Sequence, residues 1–127
     1  MGELQRGVQA GYLPACRWEW LRIWPPDAHI RAWAERFHRV VDAGEAEGLA
    51  TALVLGCVFL SDDLAARRLA RQHGVRVSGT VGILLRLVRT GIVPLPEAEA
   101  LLMQMRTHGY YRAPAARLAE ILRRAER

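Results

Sequence analysis

The sequence contains no lysine and only two cysteines among its 127 residues. All 18 basic residues are therefore arginines, whose planar guanidinium groups bind phosphate well. The net charge of +5 permits a nucleic acid or an acidic protein as partner, although a solvated basic surface explains it equally. Two cysteines cannot build a disulfide framework, so we expect reduced thiols and a cytoplasmic location.

Long apolar runs are also missing from the sequence. Runs such as residues 83–88 are interrupted by arginine, here Arg86, and none approaches the roughly 20 residues of a membrane-spanning helix. We therefore expect no membrane partner, and no signal-peptide pattern is visible. Zinc-ligand spacings, glycine-rich nucleotide-binding motifs and a nucleophile elbow are absent as well, which argues against those classes of site.

Hydrophobic periodicity predicts strands that alternate with helices. The predicted strands are residues 17–24, 57–61 and 75–78, and the predicted helices are residues 3–8, 28–41, 43–55 and 62–73 with three more beginning near residues 80, 96 and 114. This alternation predicts an α/β fold with a parallel sheet. Three short strands are few for so many helices, so we expect the chain to lack the beginning of its domain.

The most informative stretch is a short apolar run that ends at Ser61, Asp62 and Asp63, where a helical pattern starts at once. Parallel strands present their carboxyl ends to ligands, and adjacent carboxylates suit a divalent cation such as Mg²⁺. The two acids can equally serve the helix, as its N-cap and a first-turn acid. The pattern alone leaves both interpretations open.

Three further residues have a structural and a chemical interpretation. Asp42 and Glu45 have the spacing of a capping box, in which Glu45 pairs with the helix start rather than with a ligand. Glu3 lies so close to the start of the chain that fraying is expected. Thr80 is predicted to cap the apolar helix that follows Gly79.

Three motifs, taken together, resemble the PIN-domain family, and within it a subgroup of bacterial and archaeal VapC-like toxins. They are Val-Asp-Ala-Gly-Glu-Ala-Glu at 41–47, Phe-Leu-Ser-Asp-Asp-Leu-Ala-Ala-Arg-Arg at 59–68 and Gly-Val-Arg-Val-Ser-Gly-Thr-Val-Gly-Ile-Leu at 74–84. The resemblance covers roughly residues 40–125. It implies a three-layer α/β/α arrangement around a parallel sheet, in a single domain over residues 1–127 that lacks its N-terminal central strand.

The resemblance also implies a site and an activity. PIN domains cleave RNA with Mg²⁺ or Mn²⁺ held by a cluster of acids. Carried onto this sequence, the acid that opens the middle helix is Glu45, and the acid after the later strand is Asp63 with Asp62 beside it; these three would hold the metal. Glu3 falls on the early-helix acid. The first-strand aspartate has no counterpart after Met1.

The function implied is that of a metal-dependent ribonuclease, the toxin component of a toxin–antitoxin pair, with RNA as substrate and an antitoxin protein as partner. The alternative is a non-catalytic PIN-like protein that binds another protein or a nucleic acid without cutting it. Because a missing central strand leaves unpaired strand edges, we also expect a homo-oligomer.

Overall fold

The computed structural model describes residues 2–11, 15, 17–109 and 117–125. In this part of the chain, helices dominate and the two strands are short. The elements are α1 (Gly2–Gln9), α2 (Ala28–Phe37), α3 (Ala43–Leu55), β1 (Phe59–Leu60), α4 (Leu64–Gln72), β2 (Val77–Ser78), α5 (Thr80–Arg89), α6 (Leu95–Thr107) and α7 (Leu118–Ala125). A helix-rich α/β architecture is therefore confirmed. None of the described helices is long and apolar enough to cross a membrane.

The two strands form a parallel pair connected through α4. Phe59 pairs with Val77 and Leu60 with Ser78, and the amide of Ser61 donates to the carbonyl of Ser78 at 3.0 Å. Because parallel strands end on the same side of a sheet, the segments that follow β1 and β2 lie next to each other. This places the acids after β1 beside the start of α5.

The strand predicted over residues 17–24 is wrong: residues 19–20 form a turn and the rest of the stretch has no regular structure. Its large side chains are exposed, with Trp20 at 71%, Ile23 at 66% and Trp24 at 55%. An alternating pattern indicates a preference for extended structure, but a strand also needs a neighbour to pair with. In the described part of the chain, β1 and β2 pair only with each other.

Local capping signals explain where the early helices begin and end. Asp27 accepts a hydrogen bond from the amide of Ile30 at 2.8 Å and caps α2, and Asp42 accepts from the amide of Glu45 at 2.8 Å and caps α3. Gly56 ends α3 with a φ of 69°, the left-handed conformation that glycine adopts without strain. The predicted bounds of α3 are confirmed.

The buried side chains form two hydrophobic clusters. The first joins α2, α3, β1 and α4 around Ile30 and Leu49, and the second joins α5, α6 and α7 around Leu102 and Leu118. Full burial of side chains of this size contributes about 1.5–3 kcal/mol each. In the first cluster Phe59 of β1 lies against α3, and this contact holds the first turn of α3 near the end of β1.

Gly48 makes the close approach of β1 to α3 feasible. A Cβ atom at Gly48 would lie 3.2 Å from Cε2 of Phe59, which is tighter than ordinary van der Waals contact. The absence of a side chain therefore lets the ring of Phe59 pack directly on the helix. As a result, Glu45, one turn earlier in α3, comes within reach of Ser61.

Candidate carboxylate site at the end of strand β1

Ser61 connects the two acids that converge at the end of β1. Its hydroxyl donates to Oε1 of Glu45 at 3.1 Å and accepts from the amide of Asp63 at 3.1 Å. One hydroxyl group thus bridges the first turn of α3 and the start of α4. The structure brings Glu45 and Asp63 together through this contact, although the residues lie far apart in sequence.

Asp63 is the N-cap of α4. Its Oδ1 accepts from the amide of Ala66 at 2.7 Å, which satisfies one of the amides that the first helical turn leaves without a partner. Its other carboxylate oxygen makes no hydrogen bond to the described residues. An N-cap acid is therefore confirmed, at Asp63, but the expected first-turn acid is wrong, because Asp62 precedes the cap. One oxygen of Asp63 remains available to a cation.

The carboxylate of Asp62 faces α5 instead of Glu45. Oδ1 accepts from the amide of Thr80 at 2.8 Å, and Oδ2 accepts from the hydroxyl of Thr80. The N-cap position of α5 is Gly79, which has no side chain to cap the helix, so Asp62 supplies the missing acceptor from the neighbouring strand end. The prediction that Thr80 caps α5 is wrong, since Thr80 is the first helical residue and the donor.

Gly79 gives Asp62 the room for this contact. A Cβ atom at Gly79 would collide with Oδ1 of Asp62, would lie 2.6 Å from Nη1 of Arg67 and would be 3.3 Å from the carbonyl of Ser61. Arg67 in turn donates through Nη1 to that carbonyl at 3.0 Å. The guanidinium of Arg67 therefore secures the end of β1. Sequence reasoning missed the role of Gly79, which the turn Ser-Gly-Thr at 78–80 signals.

The surroundings of Glu45 disfavour the charged form of its carboxyl group. Burial raises the pKa of the Glu45 carboxyl, and the negative charges of Asp63 and Asp42 raise it further, while the hydrogen bond from Ser61 acts in the opposite direction. The predicted capping box is only half formed, because Asp42 caps α3 but the carboxylate of Glu45 accepts from Ser61.

Two of the four acids predicted for the catalytic site, three of them as metal ligands, thus lie together. Glu45 and Asp63 meet around Ser61, Asp62 binds Thr80, and the side chain of Glu3 lies outside the described residues. Over the described ranges, no group of three or more His, Cys, Asp or Glu side chains is placed to hold a metal ion. Mg²⁺ keeps several waters and often takes only one or two carboxylates, so Glu45 with Asp63 fits a hydrated cation.

A cleft of about 580 Å³ opens beside Glu45 and Asp62. One wall is formed by residues 57–62, which include β1, and the other by one face of α3 that includes Gly44, Glu45, Gly48 and Thr51. The two glycines lie four residues apart and so share one face of the helix. We did not predict this cleft from the sequence, although the spacing of the two glycines indicates an open helix face.

Comparison with known proteins identifies the family of the chain. A family model described as PIN domain matches residues 3–127. Comparison with curated proteins found no match, and comparison with solved structures found none either. The family model matches nearly the whole chain, and acidic residues follow a parallel strand. The chain therefore belongs to the PIN-domain family.

Proposed function

We propose that this protein is a metal-dependent ribonuclease that cleaves RNA with Mg²⁺ or Mn²⁺ and acts as a VapC-like toxin, with an antitoxin protein as its partner in the cytoplasm. One observation carries the proposal: Glu45 and Asp63 converge on Ser61 at the carboxyl end of a parallel strand, in a chain of the PIN-domain family. The raised pKa of Glu45 supports it, because a bound cation would stabilise the charged carboxylate.

The side chains of this chain have distinct roles in the proposed site. Glu45 and Asp63 would hold the cation, which when bound lowers the pKa of a coordinated water and acts as a Lewis acid. Ser61 orients the carboxylate of Glu45, and the amide of Ala66 fixes that of Asp63. Asp62 supports the site indirectly, since it holds α5 against the end of β1.

Arginines near the site would position the RNA. Arg68 and Arg71 lie exposed on α4, the helix that Asp63 opens. Guanidinium contacts to phosphates give affinity and orientation with little sequence choice. The proposal includes the three-layer α/β/α arrangement of the family, to which the described residues contribute a two-stranded parallel sheet and its helices.

A cleavage assay with labelled single-stranded RNA tests the proposal, with Mg²⁺ and Mn²⁺ titrated separately. The decisive variants are Asp63→Asn and Glu45→Gln. Asparagine caps helices as well as aspartate does, so Asp63→Asn keeps α4 intact while it weakens cation binding. We expect both variants to lose at least about 10-fold in cleavage and in Mn²⁺ affinity measured by calorimetry, since even residues that only support metal ligands have effects of this size.

The matched control is Glu47→Gln, an exposed acid on the same helix. It changes the net charge as Glu45→Gln does, but it should leave cleavage and Mn²⁺ affinity unchanged. Cleavage by the Asp63→Asn variant at the wild-type rate would overturn the assignment of the site.

The second candidate function is a non-catalytic PIN-like module that binds a protein or nucleic acid. One observation favours it: both oxygens of Asp62 bind Thr80, so that within the described residues the site has a pair of acids where a larger cluster was predicted. A folded protein that binds no Mn²⁺ at millimolar concentration and cleaves no RNA would support this candidate. RNA binding that weakens steeply with salt, without cleavage, would indicate its nucleic-acid-binding form.

A further inference from the structure

The parallel pairing of β1 with β2 ends at the carbonyl of Ser61. Just before this end, the amide of Ser61 donates to the carbonyl of Ser78 at 3.0 Å. In a regular parallel ladder, the amide of Thr80 would be the next donor, to the carbonyl of Ser61. The amide of Thr80 binds Oδ1 of Asp62 instead, at 2.8 Å. The carbonyl of Ser61 therefore needs a donor from outside the two strands.

Arg67 on α4 supplies this donor. Its Nη1 donates to the carbonyl of Ser61 at 3.0 Å. The guanidinium of Arg67 and the carboxylate of Asp62 thus satisfy the two backbone groups that the ladder leaves unpaired. The side chain of Arg67 is half-buried, whereas those of Arg68 and Arg71 on the same helix are exposed. The guanidinium of Arg67 is therefore directed at the protein, and the other two arginines face solvent.

Gly79 confines the guanidinium of Arg67 to this position. A Cβ atom at Gly79 would lie 2.6 Å from Nη1 of Arg67 and 3.3 Å from the carbonyl oxygen of Ser61. The same Cβ atom would collide with Oδ1 of Asp62. The guanidinium and the carboxylate thus pack against the same glycine, where their opposite charges attract each other. Packing and charge together fix the head of the Arg67 side chain at the end of β1.

Ser61 connects this anchor to the acids of the site. Its hydroxyl donates to Oε1 of Glu45 and accepts from the amide of Asp63, both at 3.1 Å. The direction in which a hydroxyl group points depends on the backbone conformation of its residue. Here β2 holds the amide of Ser61 and Arg67 holds its carbonyl. Arg67 can therefore influence the carboxylate of Glu45 through the backbone and hydroxyl of Ser61.

We propose that Arg67 is a positioning residue of the carboxylate site, which fixes Ser61 so that Glu45 and Asp63 can share a cation. The inference rests on the proposed function for the cation, whereas the anchoring of Ser61 by Arg67 does not depend on it. Arg67 thus differs in role from the exposed arginines of α4, which would position RNA. Residues that orient metal ligands commonly change metal affinity by about 10- to 100-fold when they are replaced.

Calorimetric titration of the full chain with Mn²⁺, without RNA, tests the proposal through Arg67→Met. Methionine keeps an unbranched stem but removes the charge and the donors. By charge alone, loss of a cationic group near the site should tighten cation binding. We expect the opposite, a dissociation constant raised at least about 10-fold, because Glu45 loses its orientation. In a Ser61→Ala background the same change should have less than about a 2-fold effect, since the hydroxyl through which Arg67 acts is absent.

The matched control is Arg86→Met, the same change at an exposed position of α5, which should leave the dissociation constant within about 2-fold of wild type. Hydrogen exchange followed by NMR on the metal-free protein is a readout that needs no cation. In Arg67→Met the amides of Ser61 and Asp63 should exchange at least about 10-fold faster. The amide of Leu49, in the core of α3, should keep its rate and so show that the variant is folded. Arg67→Lys, which keeps the charge and a donor, is the milder second variant, with an expected loss of Mn²⁺ affinity of about 3-fold.

Three results would overturn the proposal. The first is tighter Mn²⁺ binding by Arg67→Met than by wild type, which would leave only the effect of charge. The second is an equal loss of affinity in the wild-type and Ser61→Ala backgrounds, because Arg67 would then act on the fold as a whole. The third is unchanged Mn²⁺ affinity with weaker and less salt-dependent RNA binding, which would make Arg67 a phosphate contact. A wild-type chain that binds no Mn²⁺ would instead overturn the proposed function, and the exchange rates would then decide whether Arg67 anchors Ser61.

Discussion

The two acidic regions that meet at Ser61 differ in how their carboxylates are used. At the junction between β1 and α4, Asp63 caps α4 and Asp62 binds the first residue of α5. In the first turn of α3, Asp42 is the cap, and this leaves the carboxylate of Glu45 to a single hydroxyl group. Both adjacent acids after the strand thus accept a hydrogen bond from a backbone amide at the start of a helix, whereas the carboxylate of Glu45 does not.

This difference shows which carboxylate lacks the stabilisation of its negative charge by backbone amides. The carboxylates of the junction are stabilised by backbone amides at helix starts, which favour negative charge. Glu45 is partly buried beside two other acids, so its charged form is disfavoured and the pKa of its carboxyl is raised. A nearby positive charge would stabilise the charged form of such a carboxylate. Substitutions in each of the two acidic regions can test this contrast.

Gly79→Ala, which lies next to the junction between β1 and α4, should have the largest effect on the free energy of unfolding. The new methyl group would collide with Asp62, which is held by two hydrogen bonds to Thr80 and cannot move without losing them. Overpacking of this kind costs about 1–3 kcal/mol, and we expect a loss in that range in the free energy of unfolding from urea titration.

The control for Gly79→Ala is Gly44→Ala in α3. A methyl group there would have its nearest neighbour at 3.6 Å, an ordinary contact. Since alanine favours helices over glycine by up to about 1 kcal/mol, this variant should be neutral or more stable. Equal losses of stability from the two variants would contradict the close packing inferred at Gly79.

The next effect concerns the two caps of the junction. Asp63→Ala should reduce the free energy of unfolding by about 1 kcal/mol through loss of the α4 cap, whereas Asp63→Asn should reduce it far less. Asp62→Ala should have a similar effect through α5. A double-mutant cycle of Asp62→Ala with Thr80→Val should show coupling of at least about 0.5 kcal/mol, because the two residues share hydrogen bonds. Additive effects would argue against that contact.

Sequence reasoning succeeds in this molecule where the deciding interaction is local. Asp42 and Gly56 predict both ends of α3 correctly because a cap acts within one turn of its own helix. The same reasoning places an acid at the start of α4. It therefore recovers the helices and the presence of acids near the end of β1.

Reasoning from sequence fails where the partner is distant in the chain. Asp62 binds a residue 18 positions away, and Glu45 binds one 16 positions away, so nothing in the local pattern tells which acid serves which helix. The aromatic segment, residues 17–24, has a strand pattern, but whether it becomes a strand depends on a neighbour that the pattern does not specify. Tertiary pairing decides both outcomes.

A smaller effect is expected from Glu45, through the pH dependence of the free energy of unfolding. The folded state raises the pKa of Glu45, so between the ordinary pKa of glutamate, about 4.3, and the raised value the folded state binds more protons than the unfolded state. The contribution of Glu45 to the free energy of unfolding is therefore fully present below the ordinary pKa of glutamate. It is lost as the pH rises through the pKa that Glu45 has in the folded state.

Glu45→Gln should remove this pH-dependent loss. In urea titrations at a series of pH values, the difference in the free energy of unfolding between wild type and the variant should shift in favour of the variant as pH rises through that window. Glu47→Gln, on the exposed face of the same helix, should show no such shift. Parallel curves for wild type and Glu45→Gln would contradict the raised pKa.

The smallest expected effect is a change in the pKa of Glu45, which separates the two causes of its raised value. Burial is the largest contribution to the raised pKa of Glu45, and the charge of Asp63 adds to it. Asp63→Asn removes the charge but keeps the cap, so the pKa of Glu45, followed by NMR titration of its side-chain carboxyl carbon, should fall only part of the way toward its ordinary value. A complete return would mean that charge repulsion rather than burial governs Glu45, and the two acidic regions would then be electrostatically one. A partial return would keep them distinct, with the burial of Glu45 between α3 and the end of β1 as the main cause of its raised pKa.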